Sequence, residues 1–190
     1  MQSYSEKVVV VTGAASGIGR ALAQQLSMQG ANLALSDVNM EALEETASIL
    51  RGTGKVTLQK LDVADRGAWE AYAEQVKADH GQVDMIINNA GVALSETVER
   101  MSYEDMEWIV NINFWGVVYG TKSFLPLLKE RPESAIVNVS SIFGIIALPT
   151  QAAYNATKFA VRGFTESLRQ ELKDTNVFVT TVHPGGIKTN

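Results

Sequence analysis

The sequence contains no cysteine. That excludes disulfides, thiolate nucleophiles and cysteine-based zinc sites, although it does not fix the compartment. There are only 2 histidines, His80 and His183. They stand far apart in the chain, so a histidine-rich metal centre is not expected and no metal site is assigned. No apolar run approaches the roughly 18 residues of a membrane-spanning helix. The stretch Met1 to Lys7 is polar and lacks the apolar core of a secretory signal. Positive charge is also scarce: 16 Lys and Arg against 21 Asp and Glu leave a net charge of −5. Neither nucleic acid nor an anionic membrane is therefore an expected partner, and the cytoplasm is the default location. What is present is a globular balance, 46% hydrophobic and 19% charged over 190 residues. That length suits one domain, residues 1–190, with a sizeable core.

The chain opens with a β-branched run, Lys7 to Thr12, without alternation. Such a run suits a strand buried on both faces of a parallel sheet. Gly13-Ala14-Ala15-Ser16-Gly17-Ile18-Gly19 follows, and Ile18 to Gln29 then has helical spacing until Gly30. In a strand–loop–helix context these glycines permit a tight turn. They also let the backbone approach a pyrophosphate at the helix N-terminus closely. The spacing G-x-x-x-G-x-G differs from the commoner G-x-G-x-x-G, and a merely flexible loop is the alternative. Asn32 to Ser36 reads as a second strand, ended by Asp37, 18 residues after Gly19. A carboxylate there can accept from ribose hydroxyls and would repel a 2′-phosphate. No basic residue adjoins it and none precedes Arg20 in the glycine loop, so NAD is favoured over NADP. The alternative is that Asp37 caps the next helix.

Helix Met40 to Arg51, strand Lys55 to Leu61 and helix Arg66 to His80 come next, the last with Trp69, Tyr72, Ala73 and Val76 as its apolar stripe. Strand Val83 to Ile87 leads into Asn88-Asn89-Ala90-Gly91. Alternating strands and helices predict an α/β fold with a doubly wound parallel sheet, whose ligands sit beyond the strands' carboxyl ends where the strand order reverses. Ser102 to Glu130 is one long helical pattern, interrupted near Asn113, with Pro126 placed to bend its last turn. Strand Ser134 to Val139, helix Ala152 to Leu172 and strand Val177 to Val182 complete the pattern. The helix Ala152 to Leu172 carries Tyr154-Asn155-Ala156-Thr157-Lys158. Positions i and i+4 share a helix face. A cation about 4 Å from a phenol, at an effective dielectric near 20, favours the phenolate by roughly 4 kcal/mol, about three pKa units. A tyrosine that exchanges a proton near neutral pH follows. An ordinary amphipathic helix is the bland alternative.

Taken together the motifs are more specific than any one of them. Thr12-Gly13-x-x-x-Gly17-x-Gly19, Asp62 after the third strand, Asn88-Asn89-Ala90-Gly91, Asn113-x-x-Gly116, Ser141, Tyr154-x-x-x-Lys158 and Pro184-Gly185 occur in this order. Over nearly its whole length the chain resembles the short-chain dehydrogenase/reductase family. The resemblance implies a three-layer αβα Rossmann fold and an NAD(P)-dependent oxidoreductase. It implies that Tyr154 is the general acid/base, that Ser141 holds the substrate oxygen, and that Lys158 lowers the Tyr154 pKa and bonds the nicotinamide ribose. Asn113 is implied to interrupt its helix and hold a water in a proton relay to Lys158. For the cofactor it implies Gly13, Ser16, Gly17, Ile18 and Gly19 at the loop, Asp37 at the ribose, and Asp62 and Val63 at the adenine. Asn89, Ala90 and Gly91 are implied near the riboses, and Pro184, Gly185, Ile187 and Thr189 towards the carboxamide. A homodimer or homotetramer built on the two long helices is also implied, with Tyr103, Trp108, Phe114 and Val118 at the contact.

Single residues keep their alternatives. Ser140 competes with Ser141, which is preferred because it lies 13 residues before Tyr154. Asn113 could merely break a helix. His183 reads as structural, and Trp108, Phe114, Trp115 and Tyr119 as packing or subunit contacts. The apolar run Ile142 to Pro149 reads as one wall of an apolar substrate pocket or as a core-facing loop. Members of the family that the chain resembles usually run to about 250 residues, so a substrate lid and a last strand are expected beyond Asn190; the chain is then a fragment or a truncated member. The expected function is hydride transfer between NAD(H) and a secondary alcohol or ketone. The alternatives are a dinucleotide-binding module without turnover and a reductase of thioester-linked 3-oxoacyl groups.

Overall fold

A computed structural model describes residues 3–186; Ile187 and Thr189 lie outside the described residues. Six strands form one parallel sheet in the order β3-β2-β1-β4-β5-β6. They are β1 (Val8–Thr12), β2 (Asn32–Asp37), β3 (Val56–Lys60), β4 (Met85–Asn88), β5 (Ser134–Val139) and β6 (Val177–Val182). The helices between them are α1 (Gly17–Met28), α2 (Met40–Ser48), α3 (Arg66–His80), α4 (Tyr103–Val110), α5 (Gly116–Lys129) and α6 (Ala152–Glu171). The order runs outward in both directions from β1 and β4, which is the doubly wound, three-layer arrangement expected from the alternating pattern.

Burial explains the sequence of the strands. All five residues of β1 are buried, as a central strand between two helical layers requires. One layer packs Trp69 and Tyr72 of α3 and Phe124 of α5 against Val10, Ile86 and Ile136. Phe124 meets both aromatic rings edge-on, 6.4 Å from Trp69 and 5.8 Å from Tyr72. The other layer sets Ala23 and Leu26 of α1 and Leu43 of α2 against Val9, Val11, Leu33 and Leu35. The Trp69 indole also donates to Val63 O at 2.9 Å. That bond ties the aromatic core to the loop that follows β3.

Local signals set the helix ends. Asp65 accepts from the N–H groups of Gly67 and Ala68 at the start of α3, and Gly81 (φ 76°) closes it in the left-handed conformation. Ser102 and Asp105 form a reciprocal capping box on α4. The start of α2 is capped by Asn39, which accepts from Ala42 N–H, so the capping alternative for Asp37 does not hold. Helix α2 ends at Ser48 rather than Arg51. The long pattern from Ser102 is interrupted near Asn113 as expected, but not by a break in the helix. Instead α4 and α5 are joined by a π-helical turn, Asn111–Trp115. The wider turn inserts one residue into the helix, and Asn113 on it is 0% exposed.

At the opposite end of the sheet from the glycine loop, Asp84 is fully buried. Its Oδ1 meets Lys7 Nζ at 3.3 Å and Arg131 Nε at 3.0 Å. Its Oδ2 accepts from Val8 N–H at 2.9 Å and the Gln82 amide at 3.1 Å. One carboxylate thus joins the start of β1 to the turn after α5. Asp84→Ala is expected to destabilise the fold by about 3–5 kcal/mol, because it leaves two cations facing a vacated buried site. Urea denaturation midpoints of the two proteins measure this; a change below about 1 kcal/mol would mean that the carboxylate is dispensable.

Candidate active site

The strand order reverses between β1 and β4, and the loops that follow these strands are tied to each other. The Thr12 hydroxyl accepts from the N–H groups of both Asn89 and Ala90, each at 3.0 Å. The Asn89 amide donates back to Thr12 O (2.9 Å) and Gly13 O (3.2 Å). The approach is close enough to require glycine. A Cβ on Gly13 (φ +64°) would stand 2.8 Å from Ala90 Cα, and one on Gly19 would stand 2.0 Å from Gly13 O.

Beyond these loops a cleft of about 510 Å³ runs along the carboxyl ends of the strands. At one end it is lined by Gly13, Ser16, Gly17 and Ile18, with Asp37 beside them, and by Asp62 and Val63. Asn89, Ala90 and Gly91 form its middle, and Ser141, Tyr154, Lys158, Pro184 and Gly185 its other end. Gly19 and Asn113 do not line it. Gly19 packs α1 against the loop instead, and Asn113 sits behind the wall. Ser140, the alternative to Ser141, also lines the cleft, as do Val38, Leu61, Val92, Ala93, Ile112 and Val139, which were not expected there. Leu61 and Val139 stand at strand ends, so position along the sheet was the signal available for them. Ile112 comes from the π-helical turn, whose extra residue no motif announces.

Two expected contacts have a second role in the fold. Asp37 accepts from Ala15 N–H at 3.1 Å and from Asn39 N–H at 3.0 Å, which fixes the glycine loop to the end of β2. The Asn89 side chain holds two loop carbonyls, as described above. Arg20 is turned away from the cleft, donating to Ala42 O and Thr46 and facing Glu45. Ser16 precedes α1 without a side-chain cap on its first turn.

The other end gathers the groups suited to proton chemistry. The two serines are used differently. Ser140 Oγ donates to Lys158 O at 2.8 Å. Ser141 Oγ accepts from Phe143 N–H at 3.1 Å, which leaves its own proton free to donate elsewhere. Lys158 is 4% exposed, and its ammonium donates to Val139 O at 3.1 Å and lies 5.6 Å from the centroid of the Tyr154 ring. Burial away from water lowers its pKa to about 8. Asn113 accepts from Val92 N–H at 2.8 Å and donates to Val92 O at 2.9 Å and to Thr157 Oγ1 at 3.2 Å. Both its amide hydrogens are used by protein groups, and the three bonds bring the β4 loop against α6. A Cβ on Gly91 would stand 3.1 Å from Asn113 Oδ1 and 3.3 Å from Lys158 Nζ. His183 Nδ1–H donates to the backbone carbonyl of Ser141 at 3.0 Å, in keeping with a structural reading. Ile145, Ile146 and Leu148 are each nearly half exposed, so that part of the apolar run does not face the core.

This fold, with glycine loop, serine, tyrosine and lysine around one cleft, is that of an oxidoreductase class, and comparison with known proteins specifies it. The family described as short chain dehydrogenase matches residues 7–190, and the chain belongs to that family. It is 52% identical over 192 residues to a protein of Mycobacterium tuberculosis provisionally named oxidoreductase SadH, covering 100% of this chain and 70% of that one. It is 37% identical to cyclopentanol dehydrogenase of Comamonas testosteroni, covering 100% of this chain and 76% of the relative. Among solved structures, a short chain dehydrogenase/reductase of Burkholderia phymatum in complex with NAD superposes with a TM-score of 0.96 at 33% identity, over 100% of this chain and 69% of that one. No helix among the described residues is long and apolar enough to cross a membrane.

The buried lysine has a consequence for stability. Its folded pKa lies below the usual 10.5, so between about pH 8 and 10.5 the folded state binds fewer protons than the unfolded one. The desolvation cost is fully present below the folded pKa and disappears as pH rises towards the unfolded value. At pH 7 that cost is about 3 kcal/mol, against roughly 1 kcal/mol for the hydrogen bond to Val139 O. Lys158→Met is therefore expected to unfold at a higher urea concentration than the parent at pH 7, with the advantage shrinking as pH rises from 8 to 10. A mutant less stable than the parent across that whole range would contradict the assignment.

Proposed function

We propose that this chain carries the hydride-transfer centre of an NAD(H)-dependent oxidoreductase that interconverts a secondary alcohol and a ketone. The observation that carries the reading is the company of Ser141, Tyr154 and Lys158 at one end of a single cleft, with the uncapped start of α1 and the Asp37 carboxylate at the other.

The cleft fits a dinucleotide. The first turn of α1 has no side-chain cap and no acidic residue, so its N–H groups and the helix dipole suit a pyrophosphate. Gly13, Ser16, Gly17 and Ile18 would hold that part, Asp37 the adenosine ribose, and Asp62 and Val63 the adenine. Asn89, Ala90, Gly91, Tyr154, Lys158, Pro184 and Gly185 would hold the rest, with Ile187 and Thr189 beyond. Asp37 would repel a 2′-phosphate, and the one arginine near the loop, Arg20, is engaged with α2. Both features favour NAD over NADP. The chemistry supplied by bound NAD(H) is hydride acceptance or donation.

The side chains supply the proton and the charge stabilisation. Ser141 donates its free hydroxyl proton to the substrate oxygen and holds it. Tyr154 takes the proton from the alcohol, or returns it to the forming alkoxide in the other direction. The Lys158 ammonium beside the ring stabilises the negative charge left when the phenol has given up its proton. Asn113 anchors the β4 loop against α6 and so fixes the wall on which Lys158 rests; a water relay through it is part of the same reading. The exposed rings of Tyr103, Trp108 and Trp115 support a homodimer or homotetramer that buries the α4–α5 face.

Two results test the proposal. NADH should bind at least about tenfold more tightly than NADPH, a difference of about 1.4 kcal/mol, in fluorescence titrations; tighter NADPH binding would refute the role given to Asp37. Tyr154→Phe should lower turnover of cyclopentanol, cyclohexanol or 2-octanol with NAD⁺ by about 10²–10⁴-fold while leaving NADH affinity within about threefold. Near-parental turnover in that variant would remove Tyr154 from proton transfer. NADH binding without turnover by the parent chain on any alcohol or 3-oxoacyl thioester would favour a binding module instead.

A further inference from the structure

Asn155 follows the tyrosine directly and is only 6% exposed. One position along a helix is a rotation of about 100°, so Asn155 points to one side of Tyr154 rather than along with it. It meets the loop that carries Ser141. Its Nδ2 donates to Phe143 O and to Ile146 O, each at 2.7 Å. Both amide hydrogens are therefore used. Its Oδ1 is buried and has no hydrogen-bond partner among the described residues. A buried acceptor without a partner is unfavourable, so what this position retains in an asparagine is the pair of donors.

The loop they hold is otherwise fastened close to α6. Ser141 caps the short 3₁₀ turn Ile142–Gly144 by accepting from Phe143 N–H. Ile145 N–H and Ile146 N–H both return to Ile142 O. A Cβ on Gly144 would stand 2.4 Å from Ser140 Oγ and 2.8 Å from Lys158 O. The Phe143 ring meets the Tyr154 ring edge-on at 6.1 Å. Ser141 and Tyr154 come from different elements, and a reaction at one oxygen needs both at fixed separation. Strand β5 fixes only the start of the loop. The two Asn155 bonds fix its middle and its end to the same turn of α6 that bears Tyr154.

We propose that Asn155 is a positioning residue of the active site: its two donors clamp the Ser141–Ile146 loop to α6 and thereby set Ser141 against Tyr154. The proposal rests on the oxidoreductase reading above. Asn155 touches neither cofactor nor substrate and acts through Ser141.

The test compares Asn155→Ala, Asn155→Asp and Asn155→Gln in the full chain. Hydrogen exchange at the amides of Phe143 to Ile146 should accelerate at least about tenfold in Asn155→Ala, with exchange in β1 and β4 unchanged. With NAD⁺ and cyclopentanol or 2-octanol, kcat should fall by about 10–100-fold and NADH affinity should stay within about threefold. Asn155→Asp keeps the shape but sets a carboxylate against two carbonyls, so it should be the worse variant at pH 8. Asn155→Gln keeps both donors and should recover part of the loss. Ser141→Ala should cost much less in the Asn155→Ala background than in the parent, because the two act as one unit. Unchanged exchange overturns the proposal, as does a kcat within threefold of the parent or additivity with Ser141→Ala. If Asn155→Ala does not fold, Asn155→Ser, which keeps one donor, carries the same comparison. Turnover surviving in Tyr154→Phe would instead sink the underlying reading, while the exchange data would still decide whether Asn155 clamps the loop.

Discussion

The mouth of this cleft depends on keeping one ammonium ion out of water. The Lys158 ammonium donates to the last carbonyl of β5 and meets almost no solvent. A cation in that state is poorly compensated, which is why its proton affinity falls. The surroundings are built to tolerate it. Gly91 leaves room that any side chain would fill, and Asn113 closes the wall behind. The carbonyl of the same lysine is taken by Ser140, so backbone and side chain are held separately. The low dielectric that makes the charge unfavourable also makes its field strong at the neighbouring phenol. The same burial thus lowers stability and strengthens the field at Tyr154.

The second constraint is how closely two loops can approach. Asn89 donates two hydrogen bonds to Thr12 across the point where the sheet order reverses. Gly13 and Gly19 are the residues whose missing Cβ atoms allow the approach. Because Asn89 also lines the cleft, the floor of the cleft is part of the fold's hydrogen-bond framework. Asp37 has the same double position, with one oxygen on the glycine loop and the other on the turn into α2. A carboxylate oxygen can accept more than one hydrogen bond, so this framework leaves acceptor capacity facing the cleft.

The strands and helices were largely legible in the sequence because burial on two faces leaves β-branched runs and burial on one face leaves a 3.6-residue period. Helix α2 read three residues too long, since Ile49 and Leu50 continue the apolar period after the backbone has left the helix. The interruption near Asn113 was legible, but its π-helical form was not. An Asn in a helical stretch signals a break, but here tertiary bonds to Val92 and Thr157 widen the helix instead. The grouping of cleft residues followed from strand ends and motif order. The partners of Asp37, Asn89 and Asn155 did not, because a polar side chain's choice among several backbone groups depends on where loops from distant segments come to rest.

The choice between two adjacent serines shows how far the site depends on register. Successive residues of an extended chain point to opposite sides. Ser140 and Ser141 continue the extended backbone of β5, Ser141 with φ −162° and ψ 165°. One therefore turns towards α6 and the other towards the cleft. A slip of one residue in β5 would exchange them. What opposes that slip is polar and buried. Asn138 of β5 stands opposite Asn88 of β4, accepts from its amide at 2.8 Å, and donates to Thr165 of α6 at 3.0 Å. Apolar packing alone would tolerate a shifted strand of valines and isoleucines more easily than this chain of directional bonds does. The same bonds tie β5 to the helix that bears Tyr154, so the register that selects Ser141 is fixed relative to that helix.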